Sequence, residues 1–115
     1  MALSTSPVPH TGLVELVLWV LQRRRRYRVE GGSMAPTLDA GDYVLADPRG
    51  RITTGAIVVA RHPIEEGVVI VKRVAAITPE GLDLRGDAPA DSTDSRTWGP
   101  LALDGVLGVV TSRTG

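Results

Sequence analysis

The chain has 115 residues, 13 basic and 13 acidic side chains, two histidines and no cysteine. That is one domain in length, long enough to bury a core without cross-links, and a chain without thiols has no disulfide, no cysteine nucleophile and no cysteine-ligated metal. His10 and His62 are far apart in sequence, so a zinc site is not expected, and neither is any other cofactor.

Charge is unevenly spread although the formal net charge is zero. Residues 1–30 hold five arginines against two glutamates, and the remainder holds eight basic against eleven acidic residues. The body is therefore mildly acidic and offers no basic face to nucleic acid, which is not expected as a partner. Phenylalanine is absent, so valine, leucine and alanine must fill the core, which favours strands.

Residues 1–12, MALSTSPVPHTG, form a Ser/Pro/Thr leader expected to be mobile. Leu13–Leu21, LVELVLWVL, is an apolar helical stretch interrupted by Glu15 and followed by RRRRYR. Nine helical residues span roughly 14 Å, against a bilayer core of about 30 Å, so the segment is too short to cross. Its positive charges follow the apolar run instead of preceding it, unlike a cleavable signal peptide. Three readings stay open: a terminal helix docked on its own domain, a helix in the membrane interface with its arginines on anionic lipid, and a partner-binding helix. Residues 13–28 thus carry an expectation of peripheral membrane contact, with the arginines holding the body on the cytoplasmic side. The expected division is residues 1–28, leader and Arg-rich helix, and residues 29–115, the main domain.

From Gly41 onward short strands alternate with turn signals. DYVLAD ends at Pro48, and Ala56–His62 and Val68–Ile77 flank the Glu65–Gly67 turn as a hairpin. LDLRGD follows the Pro79–Gly81 turn, DAPADSTDSRTWGP is a polar loop, and DGVLGVVTSR is a last strand. His62, next to Pro63, is expected to be a solvated turn residue. The fold class is all-β, a small antiparallel barrel or sandwich with a short N-terminal helix.

Two residues stand out. Ser33 sits in GGSMAPTL, where Gly31 and Gly32 allow tight or left-handed backbone and Pro36 stiffens the turn; alone, this is also what an ordinary turn serine looks like. Lys72 is the one lysine among the 13 basic residues and lies inside VVIVKRVAAI. Both faces of that segment are apolar, so the strand is expected to be buried. A lysine there either snorkels to an edge or loses charge through desolvation. A neutral amine can take the proton of a serine hydroxyl, and a Ser–Lys pair needs no histidine.

Ser33-Met34-Ala35-Pro36-Thr37-Leu38 resembles the serine box of type I signal peptidases, S-M-x-P-T-L. Val71-Lys72-Arg73-Val74 resembles their lysine box, V-K-R-V. Gly86-Asp87 and then Asp91-Ser92-Thr93-Asp94-Ser95-Arg96-Thr97-Trp98-Gly99 resemble their last box, G-D-N…S-x-D-S-R-Y-x-G. The three occur in the family's order between about residues 29 and 110. The resemblance implies a β-rich serine endopeptidase that removes N-terminal extensions. It implies Ser33 as nucleophile, with its N–H in the oxyanion hole, and Lys72 as general base. Ser92 is implied as a hydrogen-bond partner of the lysine amine, and Asp94 with Arg96 as a supporting pair. Gly31, Gly32, Met34 and Pro36 are the expected substrate-side residues, with the strand after Gly81 contributing.

Three departures shape the expectation. Gly31 stands where many relatives carry a serine whose hydroxyl completes the oxyanion hole, a donor worth roughly 3–4 kcal/mol. Ala88 replaces the asparagine of the last box. Only Ala75–Arg85 lies between the lysine box and the last box, where export enzymes carry a large insertion. The short helix and small size are most similar to the branch that matures nickel superoxide dismutase, implying its N-terminal propeptide as substrate and a cytoplasmic location. The alternatives are a membrane-associated signal peptidase acting on exported preproteins, a self-cleaving repressor-type Ser–Lys protein, and a catalytically weak barrel that binds extended peptides.

Overall fold

The computed structural model describes residues 6–88, 90 and 93–114. Helix α1 (Leu13–Val20) precedes six strands: β1 (Arg25–Arg28), β2 (Tyr43–Asp47), β3 (Ile57–Arg61), β4 (Val69–Thr78), β5 (Gly81–Arg85) and β6 (Val106–Thr114). A single turn of helix, α2 (Ser95–Trp98), lies between β5 and β6. The strands form one antiparallel sheet in the order β1-β2-β6-β3-β4-β5. The all-β expectation therefore holds, with a short helix at its N-terminal side.

β3 explains why the sheet has two covered faces. Its run Ile57-Val58-Val59-Ala60 is buried at every position, and successive side chains on a strand point to opposite faces. Ile57 and Val59 join Val29, Met34, Leu38, Val44 and Ala46 in one apolar cluster. Val58 and Ala60 join Val74, Leu82, Leu84 and Leu101 in the other. Leu82 and Leu101 also exchange backbone hydrogen bonds of 2.8 Å, which ties the loop after α2 to β5.

The β3–β4 hairpin forms as expected, pairing Ile57 with Arg73 through Arg61 with Val69. Burial along β4 is narrower than the apolar sequence implies. Only Lys72, Arg73 and Val74 are fully buried, whereas Val68, Val69 and Ile77 are exposed. The cause is overlap: β3 covers β4 from Val69 to Arg73 and β5 covers it from Arg73 to Thr78, so both flanks are occupied only near Arg73. His62 is half-buried at the hairpin turn, not freely solvated. Its Nδ1 accepts the backbone N–H groups of Ile64 and Glu65 at 3.1 and 2.9 Å, and its ring meets Trp98 edge-on.

The N-terminal region is more involved in the body than expected. RRYR is a strand paired to β2, with Tyr27 packed on the first cluster, so the sheet continues upstream of residue 29. The segment expected to be a mobile leader is held against the body: Ser6 O accepts from Arg73, and Pro9–Thr11 run beside Arg113 of β6. Arg113 N–H donates to Pro9 O at 2.9 Å, Thr11 N–H donates to Arg113 O at 2.8 Å, and Val8 packs on the core. One partly buried valine and two backbone bonds outweigh the Pro/Ser-rich composition that suggested a free tail.

Candidate active site

Ser33 is held by a loop anchored at both ends. Val29 before it and Met34 and Leu38 after it are buried in one cluster. Gly31 has φ of +71°, a left-handed conformation that lets the chain reverse between β1 and the serine. Ala35 N–H closes a turn onto Gly32 O at 3.1 Å, and Leu38 N–H donates to Met34 O at 2.9 Å. Among the described residues the backbone N–H groups of Gly31, Gly32, Ser33 and Met34 donate to no protein acceptor, so donors beside the serine are unspent.

Lys72 is positioned by the hairpin ladder. It stands opposite Val58, which puts its side chain on the face of Val58 and Val74. It is 5% exposed. Burial lowers its pKa below the ordinary lysine value; Asp94 opposes that shift and Arg96 adds to it. A cavity of about 80 Å³ is lined by Ser33, Met34, Val69, Ile70, Val71 and Lys72, with Arg28, Val29 and Glu30 along its side. The serine and lysine singled out in the sequence, 39 positions apart, thus share one small cavity with Met34. Gly31, Gly32 and Pro36 frame the loop without lining the cavity, and Leu82 and Leu84 of β5 point into the second core cluster instead.

A buried ion pair ties the three sequence boxes together. Arg73 Nε and Nη2 donate to Asp87 at 2.9 and 2.8 Å, and both side chains are 1% exposed. Asp87 also accepts the Thr37 hydroxyl at 2.6 Å. Burial alone would raise the Asp87 pKa, but the hydrogen bonds from Arg73 and Thr37 and the guanidinium charge outweigh it and hold the carboxyl below its usual range. Arg73 further donates to Gly55 O at 2.7 Å and Ser6 O at 3.2 Å. Ala88 N–H donates to Ser33 O at 2.8 Å. The link at position 88 is therefore made by backbone, which alanine supplies as well as the expected asparagine.

The last box adds a second brace. Asp94, 1% exposed, caps α2 by accepting Arg96 N–H at 3.1 Å, pairs with the Arg96 guanidinium at 3.0 and 2.6 Å, and accepts Gly86 N–H at 3.0 Å. Ser95 Oγ accepts Leu84 N–H at 2.9 Å, fastening α2 to β5. Ser92 lies outside the described residues.

Arg73, Asp87 and Thr37 carry no individual role in the sequence-based expectation. The available signal was Arg73 itself, a second charge in an apolar strand, which at such a position demands a buried anion. Among the described residues no group of His, Asp and Glu could hold a metal ion.

A family model described as signal peptidase, peptidase S26, matches residues 7–88. No curated protein matches the chain. The matched stretch holds the serine loop, the lysine strand and Asp87, the three parts that the Arg73–Asp87–Thr37 bonds draw together. This chain accordingly belongs to the signal peptidase family, peptidase S26, and is a signal-peptidase-type serine peptidase.

Proposed function

We propose that Ser33 and Lys72 act as nucleophile and general base in an endopeptidase that removes the N-terminal extension of a protein precursor. The observation that carries this reading is a lysine 5% exposed, with a pKa lowered by burial, lining the same cavity as the loop serine. Neutral Lys72 Nζ takes the Ser33 Oγ proton as the oxygen attacks the scissile carbonyl. The oxyanion forms against the Ser33 N–H, which is unspent among the described residues. The lysine proton then passes to the departing amine, which releases the mature chain and leaves the extension esterified to Ser33, and a water activated by Lys72 hydrolyses that acyl-serine to free the extension. Lys72→Arg abolishes cleavage because arginine keeps its proton.

The precursor we propose is nickel superoxide dismutase, with processing on the cytoplasmic side. Support comes from the minimal scaffold: β4 and β5 join through a tight turn, with Thr78 paired to Gly81, so nothing is inserted between the lysine strand and its neighbour. The test is incubation of the chain with that precursor. Cleavage that disappears in Ser33→Ala is expected; no cleavage by the wild type excludes this substrate. A second reading, an export-type signal peptidase, is favoured by the exposed apolar face of α1. It predicts cleavage of a secretory preprotein instead.

A further inference from the structure

α1 shows its apolar side chains to solvent. Leu13, Val14 and Val20 are 78%, 72% and 74% exposed, Leu16, Val17 and Leu21 are also exposed, and no residue of the helix is buried. Glu15, the helix's one acid, is turned inward, where the Thr111 hydroxyl and Arg24 hold it. Arg24 is spent on Glu15 and Asp47. The outer face is left aliphatic and uncharged.

A cationic zone adjoins it. Arg23, Arg25, Arg26 and Arg28 are exposed and form no ion pair among the described residues. A cleft of about 460 Å³ is lined by Trp19, Gln22, Arg24, Arg25 and Arg26. The Arg26 guanidinium lies over the rings of Trp19 and Tyr43, at 5.4 and 4.7 Å, and both rings are partly exposed at the seam between aliphatic and charged surfaces.

We infer that this surface docks on an anionic lipid bilayer, with α1 lying in the interface plane and the arginine cleft on the headgroup phosphates. Charge complementarity selects the occupant. An aliphatic helix face, amphipathic rings at its border and a fan of unpaired arginines match the acyl, interfacial and phosphate depths of one leaflet. No helix among the described residues is long and apolar enough to cross a membrane, so the attachment is to the surface. The inference does not depend on the chemistry of Ser33 and Lys72.

The chain has two tryptophans, so in a Trp98→Phe background Trp19 alone reports. The full chain is mixed with vesicles of phosphatidylcholine, with and without phosphatidylglycerol. Sedimentation with the anionic vesicles and a blue shift of Trp19 emission are expected, both weakened by salt. Val17→Glu and the double variant Arg23→Glu/Arg25→Glu, each checked for native circular dichroism, should each bind at least tenfold more weakly. Absence of binding to anionic vesicles, or undiminished binding by folded Val17→Glu, overturns the inference. So does an apolar face that self-associates in solution while ignoring lipid.

Discussion

Arg73 and Asp87 form a two-bond ion pair, at 2.9 and 2.8 Å, with both side chains 1% exposed. Arg73 follows Lys72 directly on β4, and Asp87 also holds the Thr37 hydroxyl, four residues beyond Ser33. The pair therefore sets the distance between the lysine strand and the serine loop, although neither side chain lines their cavity.

Asp87→Asn keeps the shape and removes the charge, stranding a buried guanidinium, at a cost of about 3–5 kcal/mol. The folded-state pKa of Asp87 is depressed, so its contribution is present above the ordinary value of 3.8 and is lost as pH falls through the lower folded value. Urea denaturation against pH should show wild type and variant far apart at neutrality and converging in acid. A constant gap would contradict this account.

Lys72→Met should abolish peptidase activity and change the pH dependence of stability. The folded-state pKa of Lys72 lies below 10.5. As pH falls below that value the unfolded chain binds a proton before the folded chain does, so wild type loses stability until the folded pKa is reached. The Met variant lacks this loss. Its stability relative to wild type should therefore grow as pH is lowered below about 10.5 and level off once the folded pKa is passed.

Asp94 and Arg96 should move the acidic limb of the pH–rate profile in opposite directions. Asp94 raises the Lys72 pKa and Arg96 lowers it. Asp94→Asn should carry the limb to lower pH, and Arg96→Met to higher pH. Asp94→Ala should also cost about 1–3 kcal/mol, because Gly86 N–H and the first turn of α2 lose their acceptor. Identical limbs in both variants would remove the brace from the electrostatics of the site.

Gly31→Ala tests the loop conformation. A Cβ there meets no atom within 4 Å, yet φ is +71°. The expected cost is about 1 kcal/mol from backbone strain alone, read as a small fall in denaturation midpoint with the slope unchanged. A serine at this position would carry the same strain.

Much of the sheet was readable because its strands announce themselves locally. IVVAR is apolar at four consecutive positions, DYVLAD ends at proline, and a Glu-Glu-Gly turn separates the hairpin arms. β1 was not readable, since three arginines and a tyrosine shortly after an apolar helix look like that helix's polar flank. What makes a strand of RRYR is its pairing with β2, a tertiary effect. α2 was hidden in the same way: four residues of a polar loop become helical because Asp94 caps them and Ser95 fastens them to β5. At the site, Ser33 and Lys72 were legible from oddity of composition and from the boxes they share with the family. The Asp87 clamp was not, because a carboxylate in a Gly-Asp loop carries no local sign that a guanidinium fourteen residues upstream will find it.

Burial makes Lys72 a weaker base than an ordinary lysine, and the chain itself offers a direct probe of this. Lys72 is the one lysine in the sequence, so lysine labelled with ¹³C at Cε gives a single side-chain resonance to follow against pH. This resonance is expected to titrate below the ordinary value of 10.5, in wild type and in Ser33→Ala alike. Titration at the ordinary value in the folded protein would contradict it.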